Sequence, residues 1–134
     1  MRPMRFMLLQ HYAPAENCGV PMQEWRPEDI QAHIEFQQAL NAELLASGEL
    51  VDAQGLSDRA KTVTQTGGAP VITDGPFPES KELLAGYRLI DVESLDRALE
   101  IAGRASAAPG PNGVPIGDHI QVREVMGAPI PDDV

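Results

Sequence analysis

The sequence predicts an α+β fold: a ferredoxin-like, four-stranded antiparallel sheet with an extra hairpin and two helices on one face. Three observations carry this. The chain has 134 residues and 14.5 kDa, 43% hydrophobic and 22% charged, which suits one domain rather than two. Its apolar periodicity switches in the order strand, helix, short strands, strand, helix, strand, the split β-α-β pattern. Clusters of Pro, Gly and Asn separate these segments. A domain of this size buries roughly two-thirds of its unfolded surface, enough for a core without metals or disulfides. The domain is expected over residues 4–126, with 127–134 a loosely held tail containing two prolines and closing on Asp132-Asp133.

The first strand is expected from Arg5 to Tyr12. Phe6 and Leu8 fall on one face and Met7 and Leu9 on the other, as in a central strand covered on both sides. Ala13 to Trp25, rich in Pro, Gly and Asn, reads as a loop. Pro27 suits a first helical turn, Glu28 and Asp29 complement the helix dipole, and Ser47-Gly48 is a stop, so a helix is expected over 28–46. Phe36, Leu40, Leu44, Ile30, Ile34 and Leu45 span its apolar sector. His33, Gln37 and Asn41, spaced i, i+4, i+8, form a polar line inside that sector. Such groups must find partners or line a cavity, because each costs about 1–3 kcal/mol if buried unpaired.

Glu49–Leu56 and Lys61–Thr66 read as short strands, and Thr66-Gly67-Gly68-Ala69-Pro70 as a turn leading into Val71-Ile72-Thr73. Asp74-Gly75-Pro76-Phe77-Pro78 cannot continue a ladder, since both prolines lack an N–H. Leu84–Val92 is a further strand. Ser94 caps a second helix with Leu95, Ala98, Leu99, Ile101, Ala102 and Ala105 on one face. His119–Met126 closes the sheet, and Arg123 and Glu124 read as strand surface. Two helices on one side leave the other sheet face bare, and a second copy closing over it makes a homodimer the economical solution.

Ten Lys and Arg against twenty Asp and Glu give a formal charge of −10 without a basic cluster. Nucleic acid and anionic membrane surfaces are therefore disfavoured as partners, and a small molecule is favoured. No apolar run is long enough to span a bilayer, and the N-terminal apolar stretch is too short for a secretory signal, so the cytoplasm is the expected compartment. Cys18 is the lone cysteine and lies in a loop without an adjacent base. His11, His33 and His119 lack metal-ligand spacing, so neither a metal nor another cofactor is expected. Dinucleotide, phosphate-loop and serine-hydrolase motifs are absent.

The stretch Val71-Ile72-Thr73-Asp74-Gly75-Pro76-Phe77-Pro78-Glu79-Ser80-Lys81-Glu82-Leu83-Leu84-Ala85-Gly86-Tyr87-Arg88-Leu89-Ile90-Asp91-Val92 resembles the YCII-related, or DGPF-motif, family of small bacterial proteins. The resemblance extends to Arg5-Phe6-Met7-Leu8-Leu9, to His33 with Phe36, to Gly55-Leu56 and to Ser94-Leu95-Asp96-Arg97-Ala98-Leu99, nearly the whole chain. It implies a dimeric ferredoxin-like α/β barrel, similar to muconolactone isomerase and antibiotic-biosynthesis monooxygenases. It also implies a His and Asp pair in a pocket between helices and sheet. His33 matches the helix histidine. The Asp of the wider family's late Asp-Pro pair has no counterpart in Ala107–Gly117, leaving Asp74 as the candidate partner. Association of some DGPF proteins with extracytoplasmic-function sigma factors adds a regulatory alternative.

The leading functional expectation is a cofactor-free acid/base enzyme of isomerase or lyase type acting on a small organic molecule. His33 is the base and acid, Asp74 orients it, and Gln37, Phe77 and Tyr87 shape the pocket. His11, at the mouth of the Pro/Gly loop, is a further substrate-binding candidate, and Lys81 could steer an anion. Against this stands a core histidine satisfied by a backbone carbonyl or by Gln37, with Asp74 capping its own turn and Tyr87 buried with one hydrogen bond. The alternative function is a non-catalytic ligand-binding or regulatory dimer.

Overall fold

The structure, a computed structural model, describes residues 4–12, 22–75 and 84–127. In chain order these form β1 (Met4–His11), α1 (Pro27–Ala46), β2 (Leu50–Gly55), β3 (Lys61–Thr64), β4 (Val71–Asp74), β5 (Leu84–Val92), α2 (Leu95–Ser106) and β6 (Ile120–Glu124). The main sheet is antiparallel in the order β2-β5-β1-β6, and β3 pairs with β4 in a separate hairpin. This is the ferredoxin-like α+β arrangement. The expected tail beyond Gly127, the loop around Cys18, and Lys81 lie outside the described residues.

β1 and β5 occupy the centre of the sheet, where apolar side chains on alternating positions are covered best. Phe6 and Leu8 of β1 and Ile90 and Val92 of β5 project to one face. There they meet Leu40 and Leu44 of α1 and Ala98, Ile101, Ala102 and Ala105 of α2, forming the buried core. Each fully buried Leu or Ile contributes about 1.5–3 kcal/mol relative to exposure. Both helices thus share the same side of the sheet, with the small alanines of α2 in the contact. On the other face, Met7, Leu9, Tyr87 and Leu89 are half-buried.

Local signals set the helix ends. α1 begins with Pro27 at its first position and carries Glu28 and Asp29 in its first turn, and Ser47 Oγ donates to the Leu44 carbonyl at 3.1 Å at its end. α2 is capped by Ser94, whose Oγ accepts from the Arg97 N–H at 3.1 Å.

The apolar sectors are narrower than expected. Ile34 and Leu45 on α1, and Leu95 and Leu99 on α2, are exposed. Ile34, Leu45 and Leu99 each directly follow a buried residue (His33, Leu44 and Ala98), and one residue turns a helix by about 100°, enough to carry the side chain off the sheet.

The junction between α1 and β2 is tied to α2 by an ion pair. Arg97 Nε donates to Glu49 Oε2 at 2.9 Å and Arg97 Nη2 to Glu49 Oε1 at 2.9 Å. Hydrogen bonding to Arg97 holds the Glu49 carboxyl below its ordinary value of 4.5, and the same pair raises Arg97. A carboxylate with a depressed folded pKa contributes stability that is present above the unfolded value and is lost as pH falls through the folded one. Glu49→Gln should therefore destabilise the fold by on the order of 1 kcal/mol at pH 7. The difference from wild type should shrink towards zero below the ordinary glutamate value, as read from urea unfolding at neutral and acid pH.

Candidate functional site

The polar line on α1 finds its partner on β5. Arg88 alternates with Gly86 and Ile90 on the helix-facing side of the sheet and is only 6% exposed. Its Nε donates to Asn41 Oδ1 at 2.7 Å, its Nη2 donates to Gln37 Oε1, and its Nη1 reaches Gln10 Oε1 at 3.4 Å. Gln10, on β1, turns its amide nitrogen to Asp118 Oδ2 at 2.9 Å. Asp118 is itself buried, and its backbone carbonyl accepts from Ser106 Oγ at 2.7 Å. Three amides from two elements thus surround one guanidinium. Among the described residues Arg88 has no carboxylate partner, and burial pushes its pKa down.

Gly86 marks a close backbone approach beside this site. A Cβ at that position would lie 2.6 Å from the Gln54 carbonyl oxygen and 3.2 Å from Gly55 Cα. Any side chain would force β2 and β5 apart next to Arg88.

His33 is buried at one end of the amide set. Its Nδ1 lies 3.0 Å from the Pro109 carbonyl oxygen, which can only accept, so Nδ1 carries the proton. Nε2 is then the lone-pair nitrogen, facing the Gln37 amide nitrogen at 3.5 Å. Gln37 is oriented from both ends, with its oxygen on Arg88 and its N–H₂ towards His33. The edge of Trp25 packs against the imidazole, with ring centroids 5.7 Å apart at 82°. The Pro109 carbonyl is held by the folded loop after α2, in which Gly110 N–H donates to the Val114 carbonyl and Ile116 N–H to that of Ala108.

The structure does not bring the other expected residues to this point. Asp74 ends β4 in the separate hairpin, is ion-paired with Lys61 and is exposed to solvent, while both ring nitrogens of His33 face other groups. A main-chain carbonyl orients the imidazole in the place expected for Asp74. A hairpin outside the main sheet has no ladder that would carry Asp74 under α1. Tyr87 projects to the opposite sheet face from Arg88, as neighbours on a strand must, and its hydroxyl donates to Asp52 Oδ2 at 2.8 Å. That bond to a carboxylate raises the Tyr87 pKa. His11 follows a register shift at the end of β1 and has a buried Nδ1 without a hydrogen-bond partner among the described residues. Phe77 lies outside the described residues.

An open apolar groove of about 440 Å³ runs along α1, lined by Pro27, Ile30, Gln31, Ile34, Glu35 and Gln38. None of the expected site residues lines it. Among the described residues no group of three or more His, Cys, Asp or Glu side chains converges as a metal site would require.

Sequence reasoning isolates His33, Gln37 and Asn41 as a line in need of partners but misses Arg88, Gln10, Asp118 and the Pro109 carbonyl. A signal for Arg88 exists. It is a charged residue at an inward position of the alternating strand Gly86-Tyr87-Arg88-Leu89-Ile90. The Pro109 carbonyl has none, since any residue carries one.

Comparison with known proteins adds the family. The YCII-related domain matches residues 4–114. The chain belongs to the YCII-related domain family. Gln10, His33, Gln37, Asn41, Arg88 and Pro109 all fall within the matched stretch, and Asp118 follows it. The chain is also 34% identical over 86 residues to an uncharacterized protein of Rhizobium meliloti (strain 1021), covering 63% of this chain and 69% of the relative.

The network makes a direct prediction. Asn41→Leu removes the acceptor of a buried Arg88 donor and should cost about 1–3 kcal/mol. The double change Asn41→Leu with Arg88→Met removes both partners and should recover part of that loss. Chemical denaturation of the three variants beside wild type measures both effects.

Proposed function

We propose that this YCII-related protein is a cofactor-free acid/base enzyme of the isomerase or lyase class, acting on a small organic molecule between α1 and the sheet. The observation that carries the reading is the fixed tautomer of His33. With Nδ1–H held by the Pro109 carbonyl, Nε2 presents a lone pair on the side where Gln37 and Arg88 lie. An imidazole held in one orientation, with a lone-pair nitrogen that a substrate can reach by displacing an amide, is suited to abstracting a proton and returning it elsewhere on the same molecule. Gln37 is the group a substrate would displace to reach Nε2. Asp74 and Tyr87 have no part in this step.

A homodimer belongs to the same proposal. Met7, Leu9, Tyr87 and Leu89 form an apolar strip on the sheet face opposite the helices, and closure of two such faces would bury it. A second reading, non-catalytic ligand binding, is favoured by the engagement of both His33 nitrogens in the structure as it stands.

Proton transfer without a cofactor leaves a signature that is readable whatever the product. In deuterated water the wild-type protein should wash deuterium into an activated C–H position of at least one member of a panel of small carbonyl and carboxylic compounds, as read by proton NMR. His33→Gln should abolish the exchange while circular dichroism stays unchanged. Binding without exchange would support the second reading and overturn the first. Light scattering should give twice the 14.5 kDa chain mass, and Leu89→Glu should yield a monomer.

A further inference from the structure

Among the described residues, Arg88 is a buried cation held only by neutral groups. Its acceptors are the amide oxygens of Gln10, Gln37 and Asn41, and the nearest carboxylate in the network, Asp118, is reached only through Gln10. Buried charges are ordinarily paired, because neutral dipoles compensate only part of the lost hydration. Four other arginines do pair with carboxylates, nearer the surface: Arg97 with Glu49 and Glu100, Arg104 with Glu43, Arg26 with Glu28 and Asp29, and Arg5 with Asp91. Among the described residues, acidic side chains are plentiful and none of them takes this role.

We propose that Arg88 is the anchor for an anionic group of the ligand, and that the substrate class is a small organic monocarboxylate. The proposal rests on the acid/base reading of the same site and supplies its substrate. Of the five guanidinium N–H donors, the three amides occupy one each, leaving one on each terminal nitrogen. Two parallel donors of this kind match the two oxygens of a planar carboxylate. The contact to Gln10, at 3.4 Å, is the weakest of the set and the first to give way. Gln37 spans Arg88 and His33, so a ligand seated on the guanidinium places its neighbouring carbon towards Nε2 of His33. The formal charge of −10 disfavours a multiply charged anion and makes this one cationic point the distinctive feature of the interior.

The test uses matched pairs that differ only in charge, benzoate against benzamide and crotonate against crotonamide, at millimolar concentration. Thermal shift and calorimetric titration of the full chain read the binding. At least one carboxylate should bind about tenfold or more tightly than its amide, the worth of a charged hydrogen-bonded contact. Arg88→Gln should erase the preference, Arg59→Gln on the exposed β2–β3 connection should leave it unchanged, and His33→Gln should retain it. Equal binding of acids and amides by wild type, or a preference that survives Arg88→Gln, would overturn the proposal; the wild-type comparison decides even if Arg88→Gln fails to fold. Carboxylate preference without deuterium exchange would uphold the anion site and reject the acid/base reading, and exchange into neutral carbonyl compounds without carboxylate preference would do the reverse.

Discussion

A guanidinium enclosed between a helix and a sheet constrains everything around it. It brings five donors into a layer otherwise filled by Phe6, Leu8, Leu40 and Ile90, and each donor left unmatched would weigh against folding. Asn41 and Gln37 on α1 and Gln10 on β1 meet three of those donors, which ties the rotation of α1 about its own axis to the sheet. His33, one turn before Gln37 on α1, has its Nδ1 held by the Pro109 carbonyl and turns Nε2 to what remains of the Gln37 amide. What Nε2 of the imidazole meets is thus tied, through Gln37, to the satisfaction of Arg88.

The two faces of the sheet carry different chemistry on the same strand. Along β5, Gly86, Arg88, Ile90 and Val92 look towards the helices while Tyr87, Leu89 and Asp91 look away. The Tyr87–Asp52 pair therefore belongs to the outer face, and the amide-ringed cation to the inner one. The sheet itself thus stands between the two polar sites.

Most of the architecture is legible in the sequence because it rests on local signals. The Pro27 and Ser94 helix starts, the Ser47-Gly48 stop and the two-faced apolar β1 each specify structure within a few residues. The site is half legible. The helical spacing of His33, Gln37 and Asn41 identifies a line that needs partners, yet the partner comes from forty-seven positions away, the separation of Asn41 and Arg88, where only the sheet register brings them together. The motif around Asp74 suggests a place beside His33, but pairing with Lys61 across a hairpin is a contact that the motif does not encode. Ile34, Leu45 and Leu99 fall outside the covered sectors, because hydrophobic character alone does not say how much of a helix a flat sheet can cover.

The hold on His33 comes from the main chain rather than from a side chain. Every residue type supplies the same carbonyl oxygen, so no substitution at position 109 can delete that acceptor; only a change in the path of the loop can. Gly110 is buried in that loop, and a Cβ there would come within 2.7 Å of Ile116 Cγ1. Inheritance of the imidazole's orientation is therefore written in loop length and backbone clearance, and comparison of residue identities at the contacting position would not see it.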